Sequence, residues 1–301
     1  MNRPPETPKN FSASKSILSD TKSIVQAHNI RFQKKFGQNF LIDPHVLDKI
    51  ITAVGPQADD GILEVGPGIG TLTQALAERA GQVVAVEIDR HLVEILGETL
   101  ADYDNVRIIS EDVLKVPVED LKNSFDGCAH IKLAANLPYN ITSPLIMKML
   151  EEAPFIEEMV LMVQEEVARR MQASPGGADY GALSLAVQYY AKPEIAAFVP
   201  LNCFYPRPKV GSCVIRLIRH DEPPVSVKDE KLMFAVIRAA FNQRRKMLSN
   251  SLANGMEDFT REEVAEALML AGTEGARRAQ ELSLSEFAMI SNNLYNIRTT
   301  H

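Results

Sequence analysis

One tetrapeptide in the chain has the residue types needed to hold a planar amine: Asn136-Leu137-Pro138-Tyr139. It follows the apolar run 131–135, which predicts a buried strand. The Asn136 side-chain oxygen and the Leu137 carbonyl, beside the rigid Pro138, can accept the two hydrogens of an exocyclic amino group. The Tyr139 ring can stack on the base that carries this group. In the structural alternative, the strand simply ends in a proline turn and Tyr139 packs on the core.

A glycine-rich loop upstream is suited to a nucleoside cofactor. The segment Gly66-Pro67-Gly68-Ile69-Gly70 lies between a predicted strand and a predicted helix. A dinucleotide fold would use G-x-G-x-x-G to cradle a pyrophosphate, whereas the spacing here is G-x-G-x-G, with Glu64 just before it. A carboxylate repels pyrophosphate but suits a cofactor with a cationic amino-acid end, such as S-adenosylmethionine. With the tetrapeptide, this loop predicts methyl transfer to the amino nitrogen of a base.

Acidic residues follow the next two predicted strands. Glu87 ends one strand, where a carboxylate can accept hydrogen bonds from both ribose hydroxyls. Asp112 follows the next strand, near the expected place of an adenine amino group, and Ile88 can line the ring. Solvated acids after a tight turn are the alternative. The succession of acids at strand ends favours the cofactor site.

A second aromatic residue, Phe204, opens the segment 204–210. A base extracted from its stack needs aromatic or apolar walls, so Phe204 or Tyr205 can complete a sandwich with Tyr139. Arg207 and Lys209 in the same segment can contact phosphates. A proline-rich loop before an edge strand is the alternative for these residues.

Alternating strands and helices between residues 61 and 163 must position these groups. Near-continuous apolar strands separated by helices indicate an α/β fold with a parallel sheet covered on both faces. Ligands of such sheets lie beyond the carboxyl ends of the strands, where the residues above fall. The predicted strands are 61–65, 83–86, 106–109, 131–135 and 159–163, with an antiparallel pair, 196–199 and 213–217, at the sheet edge. The predicted helices of this part are 22–28, 44–54, 71–80, 91–100 and 144–151.

The chain divides by composition into three parts. We predict a flexible N-terminal arm over residues 1–20, an α/β domain over residues 21–219 and a small all-α domain over residues 220–301. The proline-bearing segment 220–224 marks the second boundary. The helices predicted beyond it are 228–241, 246–253, 261–271 and 283–295.

Bulk properties exclude several classes of protein. The 301 residues are 46% hydrophobic and 24% charged, as in ordinary globular proteins, and no apolar run approaches the ~18 residues that span a bilayer. Residues 1–20 lack the apolar core of a secretory signal, and three separated cysteines argue for a reducing compartment without disulfides or zinc. A cytoplasmic protein without membrane contact is therefore expected. The net charge of −7 argues against nucleic-acid binding only if local basic clusters are ignored. These clusters contain Lys34, Lys35, Arg207, Lys209, Arg244, Arg245 and Lys246.

Taken together, these motifs resemble the small-subunit rRNA adenine N6,N6-dimethyltransferase family of class I S-adenosylmethionine-dependent methyltransferases. The resemblance covers about residues 31–287, and its segments are 36–41, 64–73, 87–89, 111–114, 136–140, 204–210 and 241–246. It implies a Rossmann-like sheet of seven mostly parallel strands with a small all-α C-terminal domain. Within the matching segments, the implied cofactor residues are Gln38, Asn39, Leu41, Gly66, Gly68, Glu87, Ile88, Asp112, Val113 and Asn136.

The resemblance implies dimethylation of two adjacent adenosines near the 3′ end of small-subunit (16S) rRNA during ribosome assembly. A monomer that binds a pre-ribosomal particle through the basic clusters is expected. Three alternatives stay open: a large-subunit rRNA adenine methyltransferase, a DNA adenine methyltransferase, and an assembly factor that has kept the fold without catalysis. The intact residues Asn136 and Tyr139 argue against the last, because a binding module needs no amine-holding loop.

Overall fold

The computed structural model describes residues 17–28, 30, 39–243 and 245–300. The strands of the described part are β1 (Phe40–Leu41), β2 (Asp60–Val65), β3 (Gln82–Glu87), β4 (Val106–Ser110), β5 (His130–Asn136), β6 (Ile156–Gln164), β7 (Ala191–Val199), β8 (Phe204–Tyr205) and β9 (Ser212–Arg219). The α-helices of its α/β part are α1 (Ile17–Ala27), α2 (Pro44–Val54), α3 (Thr71–Ala77), α4 (Arg90–Thr99), α5 (Val118–Lys122), α6 (Thr142–Glu152), α7 (Glu165–Gln172) and α8 (Ala182–Tyr190). Helix α1 begins inside the segment predicted as an arm.

The central sheet has seven strands in the order β4-β3-β2-β5-β6-β9-β7. Strands β2 to β6 pair in parallel, and β9 runs antiparallel to both β6 and β7. The predictions of a mostly parallel α/β sheet and of an antiparallel pair at its edge are confirmed. The chain builds outward from β2 in one direction through β3 and β4, and in the other through β5 and β6. A crevice is expected beyond the carboxyl ends of strands where such an order reverses, here between β2 and β5.

Helix α2 shows how local sequence fixes one of the covering helices. Asp43 is its N-cap, and Oδ1 accepts hydrogen bonds from the backbone amides of His45 and Val46 at 2.9 and 3.3 Å. Gly55, with a φ of 52°, ends the helix in the left-handed conformation that glycine adopts without a steric penalty. The buried side chains at helical spacing are Val46, Leu47, Ile50, Ile51 and Val54. Each contributes about 1.5–3 kcal/mol by burial.

Helix α6 carries the chain away from the predicted amine-holding loop, and an arginine fixes its far end. Arg219 donates to the carbonyls of Met149, Leu150 and Ala153 at 3.0–3.2 Å, and to that of Ile156 at 2.9 Å. These carbonyls belong to the last turn of α6 and to the segment that enters β6, so they include groups that a helix end leaves without intrahelical partners. One side chain from the last residue of β9 therefore anchors α6 to the sheet.

The C-terminal part is helical, as predicted. Its helices are α9 (Glu230–Asn242), α10 (Leu248–Gly255), α11 (Arg261–Leu270) and α12 (Leu284–Thr300). They enclose a second apolar core, to which α8 contributes Leu185, Ala186 and Tyr189. None of the helices in the described ranges combines the length and apolarity needed to cross a bilayer.

Candidate active site

A cavity of about 340 Å³ opens beyond the carboxyl ends of the parallel strands, where the strand order reverses. Its walls come from the segments that follow β2, β3, β4 and β5, together with β1 and β8. The predicted site residues that line it are Asn39, Leu41, Gly66, Gly68, Glu87, Ile88, Asp112, Val113, Asn136, Leu137, Pro138, Tyr139 and Phe204. Gln38 lies outside the described residues. The structure thus brings together the predicted cofactor residues that it describes and the predicted amine-holding loop.

The glycine loop after β2 approaches the cavity with its backbone. Gly66, Gly68 and Gly70 have φ angles of 69°, 63° and 92°, which a side chain rarely allows. A Cβ atom on Gly68 would also lie 3.0 Å from the Phe40 ring. The loop therefore needs glycine at these three positions for its conformation, and at Gly68 also for its closeness to β1.

Glu87 ties this loop to the end of β3. Its carboxylate accepts hydrogen bonds from the backbone amides of Gly68 at 3.3 Å and Asp89 at 2.9 Å. Burial raises the pKa of Glu87, and the amide donors oppose that rise. A carboxylate has about four lone-pair sites, so two amides leave room for hydroxyl donors.

Glu64 is a buried residue near the end of β2 that also lines the cavity. Burial, together with the Glu87 carboxylate, raises the pKa of Glu64 to about 8, although the Thr73 hydroxyl acts in the opposite direction. Within the described ranges, its Oε2 has no hydrogen-bond partner. A buried carboxyl oxygen at a cavity wall fits the ammonium end of an amino acid. The cavity therefore offers a partner for the cationic end of S-adenosylmethionine.

The wall that follows β4 is shaped for an apolar, planar group. Asp112 closes a turn in which its Oδ1 accepts the backbone amide of Leu114 at 3.0 Å. Ile88, directly after β3, leaves 47% of its surface exposed and lines the same cavity, as does the buried Val113. An exposed isoleucine and a half-buried carboxylate in one cavity suit a purine with an amino group.

The tetrapeptide after β5 is held by hydrogen bonds to three other segments. Asn136 Nδ2 donates to the backbone carbonyl of Asn39 at 3.0 Å, and the Leu137 amide donates to the carbonyl of Met162 at 3.1 Å. The Tyr139 hydroxyl and the Ser212 hydroxyl lie 3.2 Å apart and share a hydrogen bond. Because the Asn136 amide nitrogen is anchored, its oxygen is the group that presents an acceptor.

Phe204 forms the remaining wall. Strand β8 pairs with β1 so that Leu41 lies opposite Phe204, and the Phe204 ring is only 2% exposed. It therefore belongs to the core and to the cavity wall at once. The cavity is lined by Phe204 and not by Tyr205. Of the two aromatic residues that the sequence offers for this wall, Phe204 is therefore the one at the cavity.

The predicted RNA-binding residues that the structure describes lie outside the cavity. Arg207, Lys209, Arg245 and Lys246 are exposed and do not line it. Lys34, Lys35 and Arg244 fall outside the described residues. The described cations therefore lie on the protein surface and are not part of the cavity.

Two further contacts support the loop, and only one of them has a signal in the sequence. Ser212, the partner of Tyr139, lies 73 residues away in the chain. Thr142 donates its hydroxyl to the Pro138 carbonyl at 3.2 Å and so stiffens the turn into α6. A serine at the start of β9 carries no signal of such a role, whereas Thr142 lies close enough in sequence for a local turn contact to be expected.

A seven-stranded sheet with an antiparallel edge pair, a glycine loop after β2 and acidic residues after β3 and β4 define a class I methyltransferase, whose cofactor is S-adenosylmethionine. The family model described as "Ribosomal RNA adenine dimethylase" matches residues 29–294. The chain belongs to this family.

Similar proteins span nearly the whole chain. It is 53% identical to ribosomal RNA small subunit methyltransferase A of Lachnoclostridium phytofermentans, over 92% of this chain and 97% of the relative. It is 47% identical to the protein of the same name from Clostridioides difficile, over 90% and 94%.

Two solved structures share the fold. One is a dimethyladenosine transferase from Plasmodium falciparum, with a TM-score of 0.68, 25% identity and coverage of 83% of this chain and 95% of the other. The second is the 23S rRNA methyltransferase ErmE, with a TM-score of 0.63, 28% identity and coverage of 85% and 99%. These likenesses support the assignment of this chain to the rRNA methyltransferases.

Proposed function

We propose that this protein methylates the N6 nitrogens of two adjacent adenosines near the 3′ end of small-subunit rRNA, giving N6,N6-dimethyladenosine. The main support for this proposal is that the Asn136 loop lines the same cavity as the glycine loop and the acidic residues. The small-subunit substrate is favoured because relatives at 53% and 47% identity bear that name, whereas the 23S enzyme is 28% identical.

Different residues of the cavity bind different parts of the cofactor. Glu64 receives the ammonium group, Glu87 receives the ribose hydroxyls, and Asp112 receives the adenine amino group. Ile88 and Val113 cover the adenine ring. Gln38, Asn39, Leu41, Gly66 and Gly68 complete the cofactor site. When bound, S-adenosylmethionine supplies a methyl group activated by a positively charged sulfur.

The tetrapeptide acts on the substrate adenine. Asn136 Oδ1 and the Leu137 carbonyl accept the two N6 hydrogens, which turns the nitrogen lone pair away from the ring and towards the methyl donor. Tyr139, held by Ser212, stacks on one face of the base, and Phe204 closes the other side. As the nitrogen gains a methyl group, it releases one proton to water. These residues act by orientation and by electrostatics, for which no proton acceptor on the enzyme is needed.

The substrate we propose is a pre-ribosomal particle. A net charge of −7 disfavours broad binding to naked RNA, whereas a few local cations suffice on a particle that offers protein and RNA surfaces. Lys34, Lys35, Arg207 and Lys209 on the α/β part, and Arg244, Arg245 and Lys246 on the helical part, position the RNA backbone. We place the protein in the cytoplasm as a monomer with a domain boundary near residue 220.

The test is methyl transfer with labelled cofactor to three substrates: undermethylated small subunits, large-subunit rRNA and DNA. Digestion of the labelled small-subunit RNA should yield N6,N6-dimethyladenosine from two neighbouring positions. Label in large-subunit rRNA or DNA alone would overturn the proposed substrate. The absence of transfer to all three, with particle binding intact, would favour an assembly factor without catalysis.

A further inference from the structure

Lys148 on α6 binds the loop that follows β4 through main-chain oxygens. Its ammonium group donates to the carbonyls of Val113, Leu114 and Val116 at 3.1, 2.9 and 2.7 Å. A lysine has three N–H donors, so all three are directed at one short loop. The side chain is half-buried, which strengthens hydrogen bonds from a charged donor.

This loop is the adenine wall of the cavity, and it is held from two directions. From within, the Asp112 carboxylate accepts the Leu114 amide, and the Asp112 carbonyl accepts the amides of Lys115 and Val116 at 2.8 and 3.2 Å. From helix α6, Lys148 holds the carbonyls of Val113, Leu114 and Val116. Without that ammonium group, three converging carbonyl dipoles would face one another across a half-buried space.

The helix that carries Lys148 also supports the amine-holding loop. Helix α6 begins at Thr142, shortly after the amine-holding tetrapeptide, and the Thr142 hydroxyl donates to the Pro138 carbonyl. Lys148 lies roughly 9 Å further along the helix axis, on a rigid element whose far end Arg219 anchors. The same helix therefore contacts the walls proposed for the cofactor and for the substrate.

We propose that Lys148 is a positioning residue, which sets the spacing between the adenine wall at 112–114 and the loop that holds the substrate amine. This inference rests on the proposed placement of the cofactor adenine at Asp112. Lys148→Met keeps the apolar stem and removes the donors, so the wall should relax outward. Affinity for an adenosine ligand should then fall about tenfold, as is common when the hydrogen bonds that support a binding residue are removed.

The chain offers a matched control in Lys132. Its ammonium group donates to the carbonyls of Val54 and Gly55 at 3.3 and 3.2 Å and pairs with the buried Asp60 at 2.7 Å. These contacts lie near the start of β5, whereas the cavity lies beyond the carboxyl ends of the strands. Lys132→Met should therefore lower stability and leave the cavity unchanged.

Binding of S-adenosylhomocysteine, measured by calorimetry beside thermal unfolding of the ligand-free proteins, separates the possibilities. Lys148→Met should lose about tenfold in affinity, Lys148→Arg should recover most of it, and Lys132→Met should keep wild-type affinity despite a lower melting temperature. Unchanged affinity in Lys148→Met, or an equal loss in Lys132→Met, would overturn the proposal. Failure of the wild-type protein to bind would instead overturn the proposed cofactor site.

Discussion

Glu64 should release a proton when the cofactor binds. Its carboxyl group has a pKa of about 8 in the ligand-free protein, because burial disfavours the charged form. At about pH 6.5 it is therefore almost entirely protonated. A cationic ammonium group placed beside it would favour the carboxylate, so binding should expel close to one proton per ligand.

The same linkage fixes the pH dependence of affinity. Below about pH 8, each unit of acidification should weaken binding of S-adenosylhomocysteine about tenfold, because the proton competes with the ligand for Glu64. Above that pH the α-amino group of the ligand loses its own proton, so affinity should be greatest near pH 8. For the ligand-free protein, the raised pKa means that stability contributed by protonated Glu64 is lost as the pH rises from about 4.5 through 8.

Calorimetry at about pH 6.5, in two buffers that differ in ionisation enthalpy, measures the protons released. Glu64→Gln is the matched variant, because the amide keeps the size of the side chain and cannot ionise. It should bind with little proton release, and its affinity should converge with that of the wild type as the pH falls. Equal proton release from both proteins would assign the proton to another group, such as Glu87, and would refute the reasoning.

Three further tests have defined outcomes. Glu87→Gln should weaken S-adenosylhomocysteine binding about tenfold in calorimetry, since it loses the charge that receives the ribose hydroxyls; wild-type affinity would remove Glu87 from the ribose site. Gly81→Ala should cost about 1–3 kcal/mol in urea unfolding, because the new Cβ would meet the Ala58 carbonyl oxygen at 2.5 Å. At Gly97, within α4, the new Cβ of Gly97→Ala would have open space, so this variant should gain up to about 1 kcal/mol in free energy of unfolding. Equal effects of the two glycine substitutions on stability would contradict the packing. Reversing charge at Arg245 and Lys246 should reduce the salt slope of particle binding by roughly 0.7–0.9 for each phosphate that the variant no longer neutralises, and an unchanged slope would leave both facing solvent.

Capping residues and apolar spacing predicted helices whose bounds depend on local sequence. Helix α2 has the predicted bounds, because Asp43, Pro44 and the apolar spacing mark its start and its buried face. Helix α1 begins at Ile17, before the start at Lys22 that the sequence predicts. The sequence does not predict helix α7, since only Ala168 and Met171 of its residues are buried and the others are polar except for Val167.

Pairings between distant segments could not be predicted in this way. Strands β1 and β8 have two residues each, too few to show any periodicity, yet their pairing brings Phe204 to the cavity beside Leu41. Glu64 was expected to face a cationic group from its place before the glycines, whereas its burial and raised pKa depend on the packing of the whole sheet. In the sequence, Lys148 has no feature that sets it apart from other helical lysines, because its role depends on contact with the distant loop after β4.

Asn136→Ala tests most directly whether this loop holds the reacting amine. The substitution removes the hydrogen bond to the Asn39 carbonyl, worth about 1 kcal/mol, so S-adenosylhomocysteine affinity should change by no more than about fivefold. Single-turnover methylation of undermethylated small subunits at saturating cofactor should fall about 100- to 1000-fold, because the variant has no side-chain acceptor for the N6 hydrogens. A wild-type rate of N6,N6-dimethyladenosine formation in this variant, with the cofactor bound, would contradict the account.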